Sequence, residues 1–128
     1  MGAAVRDHTG LGATADAGAV TRWYYQHAEP NRQVAALAPA LLALAGAGEP
    51  VAAGLVAASA GDLLDIALGV ATRLFPGMPP TGLRAGLSGP ILHHPAVHAA
   101  LRARTPFQLH PVEGSPIEGV RRLLLRAA

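Results

Sequence analysis

Three groups of residues in this sequence have types and spacings that could do chemistry. The first is the turn Ser88-Gly89-Pro90. It follows Leu83-Arg84-Ala85-Gly86-Leu87, whose alternation has the period of a half-buried strand, and it precedes Pro95-Ala96-Val97, the opening of a helix. In an α/β sheet such a turn lies outside the carboxyl end of a strand, where ligands bind, and a residue without a Cβ lets a flat ring or a phosphate reach the backbone. The competing reading is a connection whose glycine only serves the turn. The second group is His93, His94 and His98. His94 and His98 stand four apart on one helical face and could chelate a metal, with a third ligand from His110 or a glutamate; exposed or capping histidines are the competing reading, and we assign no metal site. The third is Asp62 and Asp65, three apart on a helix. Paired carboxylates can do acid and base work, but nothing else polar converges on them in sequence, so we read a solvated helix face.

The elements that must position these residues follow from the apolar spacing. Residues 1–31 read as an amino-terminal loop region and short helix, with Gly10, Gly12 and Thr14 in a loop after a short helical start. Asp16 is the N-cap of a helix that runs to His27, and Trp23, Tyr24 and Tyr25, three of the five aromatic residues, are read as core. Residues 32–75 read as a helical hairpin. Its first helix, 32–47, carries Leu37, Leu41 and Leu44 on one stripe. Its second starts at Glu49-Pro50 and runs to Phe75, with Leu63, Ile66, Val70 and Leu74 as its buried stripe, widened by Leu64 and Leu68. Residues 76–82 form a Pro/Gly linker, since prolines at that density cannot continue a helix. Residues 83–128 then read as strand, turn, helix, strand and helix. Val97, Ala100 and Leu101 are buried in the first of these helices, Phe107 and Leu109 share one side of the second strand, and Ile117, Val120 and Leu124 are buried in a terminal helix over 117–127.

Composition bounds the function classes. The 128 residues are one domain's worth, with 51% hydrophobic and 14% charged residues, enough apolar material for a core. All ten basic residues are Arg, and they are scattered except for Arg102/Arg104 and Arg121/Arg122/Arg126. That is not the dense basic stripe with interleaved aromatics that nucleic-acid binding uses, so no nucleic-acid partner is expected. Without cysteine there is no disulfide or thiol chemistry. The uncharged run at residues 33–48 is 16 residues with a proline inside, short of a membrane span. The amino terminus has no apolar stretch of signal-peptide length, and Arg6 stands where a myristoylation signal wants Ser or Thr. We therefore expect a cytoplasmic chain with no membrane partner.

Four places in the order of elements carry a resemblance. They are Gly48-Glu49-Pro50 after an Ala-rich helix; Asp62-Leu63-Leu64 in the long helix; Leu87-Ser88-Gly89-Pro90-Ile91-Leu92, with Pro95 and Val97 opening the next helix; and Pro116-Ile117-Glu118-Gly119-Val120 before Leu123-Leu124-Leu125. Over residues 32–127 the chain resembles the carboxyl-terminal part of the BadF/BadG/BcrA/BcrD-type ATPases, and within them the N-acetylglucosamine kinases of the actin-like fold. The resemblance implies an α/β chain, the helix-rich carboxyl-terminal lobe of a ribonuclease H-like fold with only two or so short strands present. It implies the nucleotide-side lobe of an ATP-dependent sugar kinase, with Ser88, Gly89 and Pro90 lining the adenosine face, and ATP and Mg²⁺ as cofactors of a complete enzyme. A nucleotide is then the partner, and a sugar only in the complete enzyme. The family's phosphate loops and catalytic aspartate lie in its amino-terminal portion, so the chain is expected to begin just after the second phosphate loop. No catalytic residue maps onto it, and it is expected to be inactive alone.

The sequence also departs from the family. Pro90 stands where the family has a second glycine, removing a backbone N–H and fixing φ, and Arg84 interrupts a strand that in the family is mostly apolar. The alternative function is a non-catalytic helical interaction module whose hairpin offers an apolar face to a partner. A strand at 83–88 without its sheet favours pairing with another chain, so a homodimer or association with a missing amino-terminal half is expected.

Overall fold

The computed structural model describes residues 2–114 together with 117, 118, 121, 124 and 125. Among the described residues the chain is helix-rich with two parallel strands, an α/β arrangement. Its first helices are α1 (Gly2–Thr9) and α2 (Ala17–Gln26). Asp16 caps α2 as its residue type predicts, its Oδ1 accepting the Ala19 N–H at 2.8 Å. Neither helix, nor α3 (Pro30–Ala35), buries a residue. The aromatic stripe is therefore not core. Tyr25 is 78% exposed, the Tyr24 hydroxyl donates to Asn31 Oδ1 at 2.8 Å, and Trp23 packs between the rings of His8 and His27.

The single helix expected over 32–47 is two helices, α3 and α4 (Ala38–Gly46). The cause is Pro39, which has no N–H to donate and whose ring would clash with the Ala35 carbonyl one turn back. Leu37, Leu41 and Leu44 are only half-buried. With Ala4 and Val5 of α1 they border an apolar cavity of about 270 Å³, and it is Leu42 that enters the core.

The turn between α4 and α5 (Pro50–Leu74) is closed at both ends. Glu49 N–H donates to Leu44 O and Gly48 N–H to Ala45 O, both at 3.0 Å, the paired bonds of a Schellman motif, with Gly48 at φ +82°. Glu49 then turns its carboxylate on α5, Oε2 accepting the Ala52 N–H at 2.6 Å. The turn joins α4 and α5 as a helical hairpin, with α3 standing apart from it as a separate helix.

The face of α5 that is buried differs from the expected one. Ala52, Val56, Ala60, Gly61 and Leu64 are buried, whereas Leu63, Ile66, Val70 and Leu74 are exposed, Ile66 and Leu74 at 66% each. The inward side, which mixes small residues with Val56 and Leu64, meets α4 and α6 (Pro95–Arg102). At Gly61 a Cβ would lie 2.8 Å from Arg104 Nη1, which itself donates to Ala57 O at 3.3 Å. By length and composition α5, at 25 residues, is also long and apolar enough to cross a membrane, so the expectation that no helix would be is corrected. Asp62 and Asp65 stand near its middle, where each acid would cost about 2.5–3.5 kcal/mol in a bilayer.

After a short 3-10 turn (Pro80–Gly82) come β1 (Arg84–Leu87), α6 and β2 (Gln108–Pro111), a strand-helix-strand unit with the strands paired in parallel, Arg84 against Gln108 and Leu87 against Pro111. Leu87, Val97, Leu101 and Phe107 from this unit join Leu42, Val56, Ala60 and Leu64 in one core, and Leu83, Ala85, Ala100 and Leu109 pack against it. Leu101 is 1% exposed. The sheet's other face is polar, with the Arg84 Nε–H donating to His110 Nε2 at 3.0 Å and the Gln108 amide to Thr81 O at 3.1 Å. Of the terminal helix read over 117–127, Ile117 and Leu124 are exposed rather than buried; Val120 lies outside the described residues.

Candidate functional site

The residues that could do chemistry end up in different places. Asp62 and Asp65 are exposed along α5. His94 is the N-cap of α6, its Nδ1 accepting the Ala96 N–H at 3.3 Å, which commits one ring nitrogen to the helix. His98 follows one turn later with Nε2 buried and without a hydrogen-bond partner. Among the described residues no three His, Asp or Glu side chains come together as metal ligands.

The turn Ser88-Gly89-Pro90 stands at the carboxyl end of β1 and is exposed throughout. Its conformation needs glycine: Gly89 has φ +92°, a region L side chains rarely adopt, and no atom lies within 4 Å of where its Cβ would be. The space over the glycine is open. The rest of the connection is tied down. His93 N–H donates to Gly89 O at 3.2 Å, His94 N–H to Ile91 O at 3.1 Å, and the His93 ring, through Nε2–H, to Leu87 O at 2.8 Å. His93 thus fastens the turn to the strand it leaves. That role was not read from the sequence, although a histidine six residues beyond the strand's last apolar position is the signal that could have found it.

Two features shape the surroundings of the turn. At the neighbouring strand end, Val112 N–H donates to Leu87 O at 2.7 Å, and the Val112 side chain covers Gly86, where a Cβ would lie 2.8 Å from Val112 Cγ2. Beside the turn, Ile91 and Leu92 meet Leu41, Ser59 and Leu63 around an apolar cavity of about 200 Å³. No family model, curated protein or solved structure matches the chain. The geometry alone therefore carries the functional argument. It offers a backbone edge open to a flat or extended ligand, with an apolar slot next to it and, among the described residues, no acid and base pair aimed at either.

Proposed function

We propose that this chain is the nucleotide-side lobe of an ATP-dependent sugar kinase, N-acetylglucosamine kinase-like, with the helix-rich carboxyl-terminal lobe of an actin-like fold. The observation that carries the reading is Gly89, at positive φ with open space over it, at the carboxyl end of a parallel strand that runs through a turn into a helix. A purine ring can lie against a backbone that carries no Cβ, and the slot lined by Leu63 and Ile91 supplies the apolar walls that flat rings favour. Ser88, Gly89 and Pro90 would hold the adenosine; Pro90 adds a surface but no donor. The described residues have no donor set for Mg²⁺. Metal, phosphate donors and the base for the sugar hydroxyl belong to the rest of a complete, cytoplasmic enzyme, in which the nucleotide and the sugar are the partners. Phosphoryl transfer depends on those parts for positioning and charge stabilisation.

Calorimetric titration with ATP tests this. The parent chain is expected to bind weakly, and Gly89→Leu to bind about tenfold more weakly, a loss of ~1.4 kcal/mol. Gly89→Asn, which tolerates positive φ, separates strain from steric exclusion. Equal binding by all three proteins sinks the assignment. In a coupled ADP-release assay the chain alone is expected to show no sugar-dependent turnover above background.

A second reading, a non-catalytic module that docks a partner on its helical hairpin, is favoured by a different observation. Leu63, Ile66, Val70 and Leu74 make an exposed apolar stripe along α5, and contiguous apolar surface of this kind marks interaction sites. In that reading the partner is a second copy or the missing amino-terminal half.

A further inference from the structure

We propose that the free edge of β1 takes up an extended strand from another polypeptide, whose alternate apolar side chains fill the groove between β1 and the carboxyl-terminal half of α5. Among the described residues β1 has one hydrogen-bonded neighbour, β2. On that side the Leu83 and Leu87 carbonyls accept from the Gln108 and Val112 N–H groups, at 3.0 and 2.7 Å. In a parallel ladder the alternate residues, here Arg84 and Gly86, turn their backbone groups to the opposite edge. Beside that edge lies a groove of about 550 Å³, walled by Val70, Leu74 and Phe75 and floored by Leu83, Ala85 and Phe107.

Unpaired backbone and apolar groove are adjacent, and one kind of occupant satisfies both. A strand laid on β1 sends every second side chain into the groove, because successive side chains alternate between the two faces of a sheet. Its other side chains meet the polar face, where exposed Arg84 contacts the His110 ring and no described carboxylate, so an acidic residue suits that side. A second copy of this chain fits less well. Its β1 could pair edge to edge, but its Leu87 is buried and its Leu83 and Ala85 already pack against its own core, leaving no side chains for the groove. The inference deepens the partner-docking reading, on which it rests, and is independent of nucleotide binding.

The test uses the intact chain and a fluorescein-labelled peptide of about seven residues alternating valine with glutamate, enough for one strand. Binding is followed by fluorescence polarisation, with the peptide N-methylated at one position at a time. Saturable binding is expected to weaken about tenfold when methylation falls on every second residue and to be unchanged on the intervening ones, because only alternate amides face β1. Val70→Glu and Leu74→Glu, at exposed groove positions, should weaken it by a similar factor with the circular dichroism spectrum unchanged. Ile66→Glu, outside the groove, should not. Binding lost in Ile66→Glu and indifferent to N-methylation would overturn strand addition while keeping the helix face as the docking surface. No saturable binding at about millimolar concentration would overturn it as well. So would a dimer in sedimentation that Leu74→Glu dissolves, because a second copy would then occupy the groove.

Discussion

In α5 the side chains of Ala52, Val56, Ala60 and Leu64 are all buried, whereas those of Leu63, Ile66, Val70 and Leu74, larger and more apolar as a set, are all exposed. If side-chain hydrophobicity alone chose the buried face, the second set would be inside. The choice follows distance of approach instead. Alanine and glycine let α4 and α6 come close enough for many dispersion contacts per atom, whereas the larger stripe would hold them apart. The larger stripe is left outward, available to whatever covers this lobe.

The sharpest way to break that comparison is a charge on each face. Leu64→Asp places an unpaired carboxylate in the core, a cost of several kcal/mol, and should abolish the cooperative thermal transition seen by circular dichroism, whereas Leu63→Asp should keep it. If both variants unfolded, the two faces would not differ as described. Truncating Leu101, which α6 presents to the small-residue side, should remove about 2–5 kcal/mol in urea denaturation. Ala60→Leu tests closeness directly: overpacking should cost about 1–3 kcal/mol, and a stabilised protein would mean that the interface has room. Away from α5, Asp16→Ala should remove about 0.5–2 kcal/mol of local stability, read as faster amide exchange confined to α2. The smallest effect belongs to Ile66→Lys, within about 0.5 kcal/mol of the parent by chemical denaturation.

Much of the fold could be read before the structure, for definite reasons. Asp16, Gly48-Glu49-Pro50 and Pro95 fix helix ends through bonds within a few residues, and the alternation at 83–87 needs only a sheet with one covered face. Long-range choices were less legible. In α5 nearly every position is apolar or small, so periodicity could not say which stripe faces α6. Pro39 was visible, yet one proline within a leucine-rich run does not announce whether the helix bends or divides. Trp23 and its neighbours were read as core on residue type, but α1 and α2 bury no residue. Of the candidate site, the turn was found from Gly89 and its flanks, while the part played by His93 depends on a bond to Leu87 that spacing alone does not reveal.

Trp23 has a spectroscopic consequence. It is the only tryptophan, and it sits with ring centroids 6.0 Å from His8 and 4.5 Å from His27, in a helix that buries no residue. Its emission therefore senses whether α1 and α2 stay together, not whether the leucines around Leu101 stay dry. α5, 25 residues long and anchored in the core, is the largest single contributor to the far-ultraviolet signal among the described helices. As urea is added, the fluorescence curve should move at lower concentration than the ellipticity curve, because a segment without buried side chains opens before the whole does. One intrinsic dye and one backbone signal thus divide the denaturation of this chain into two separately readable transitions.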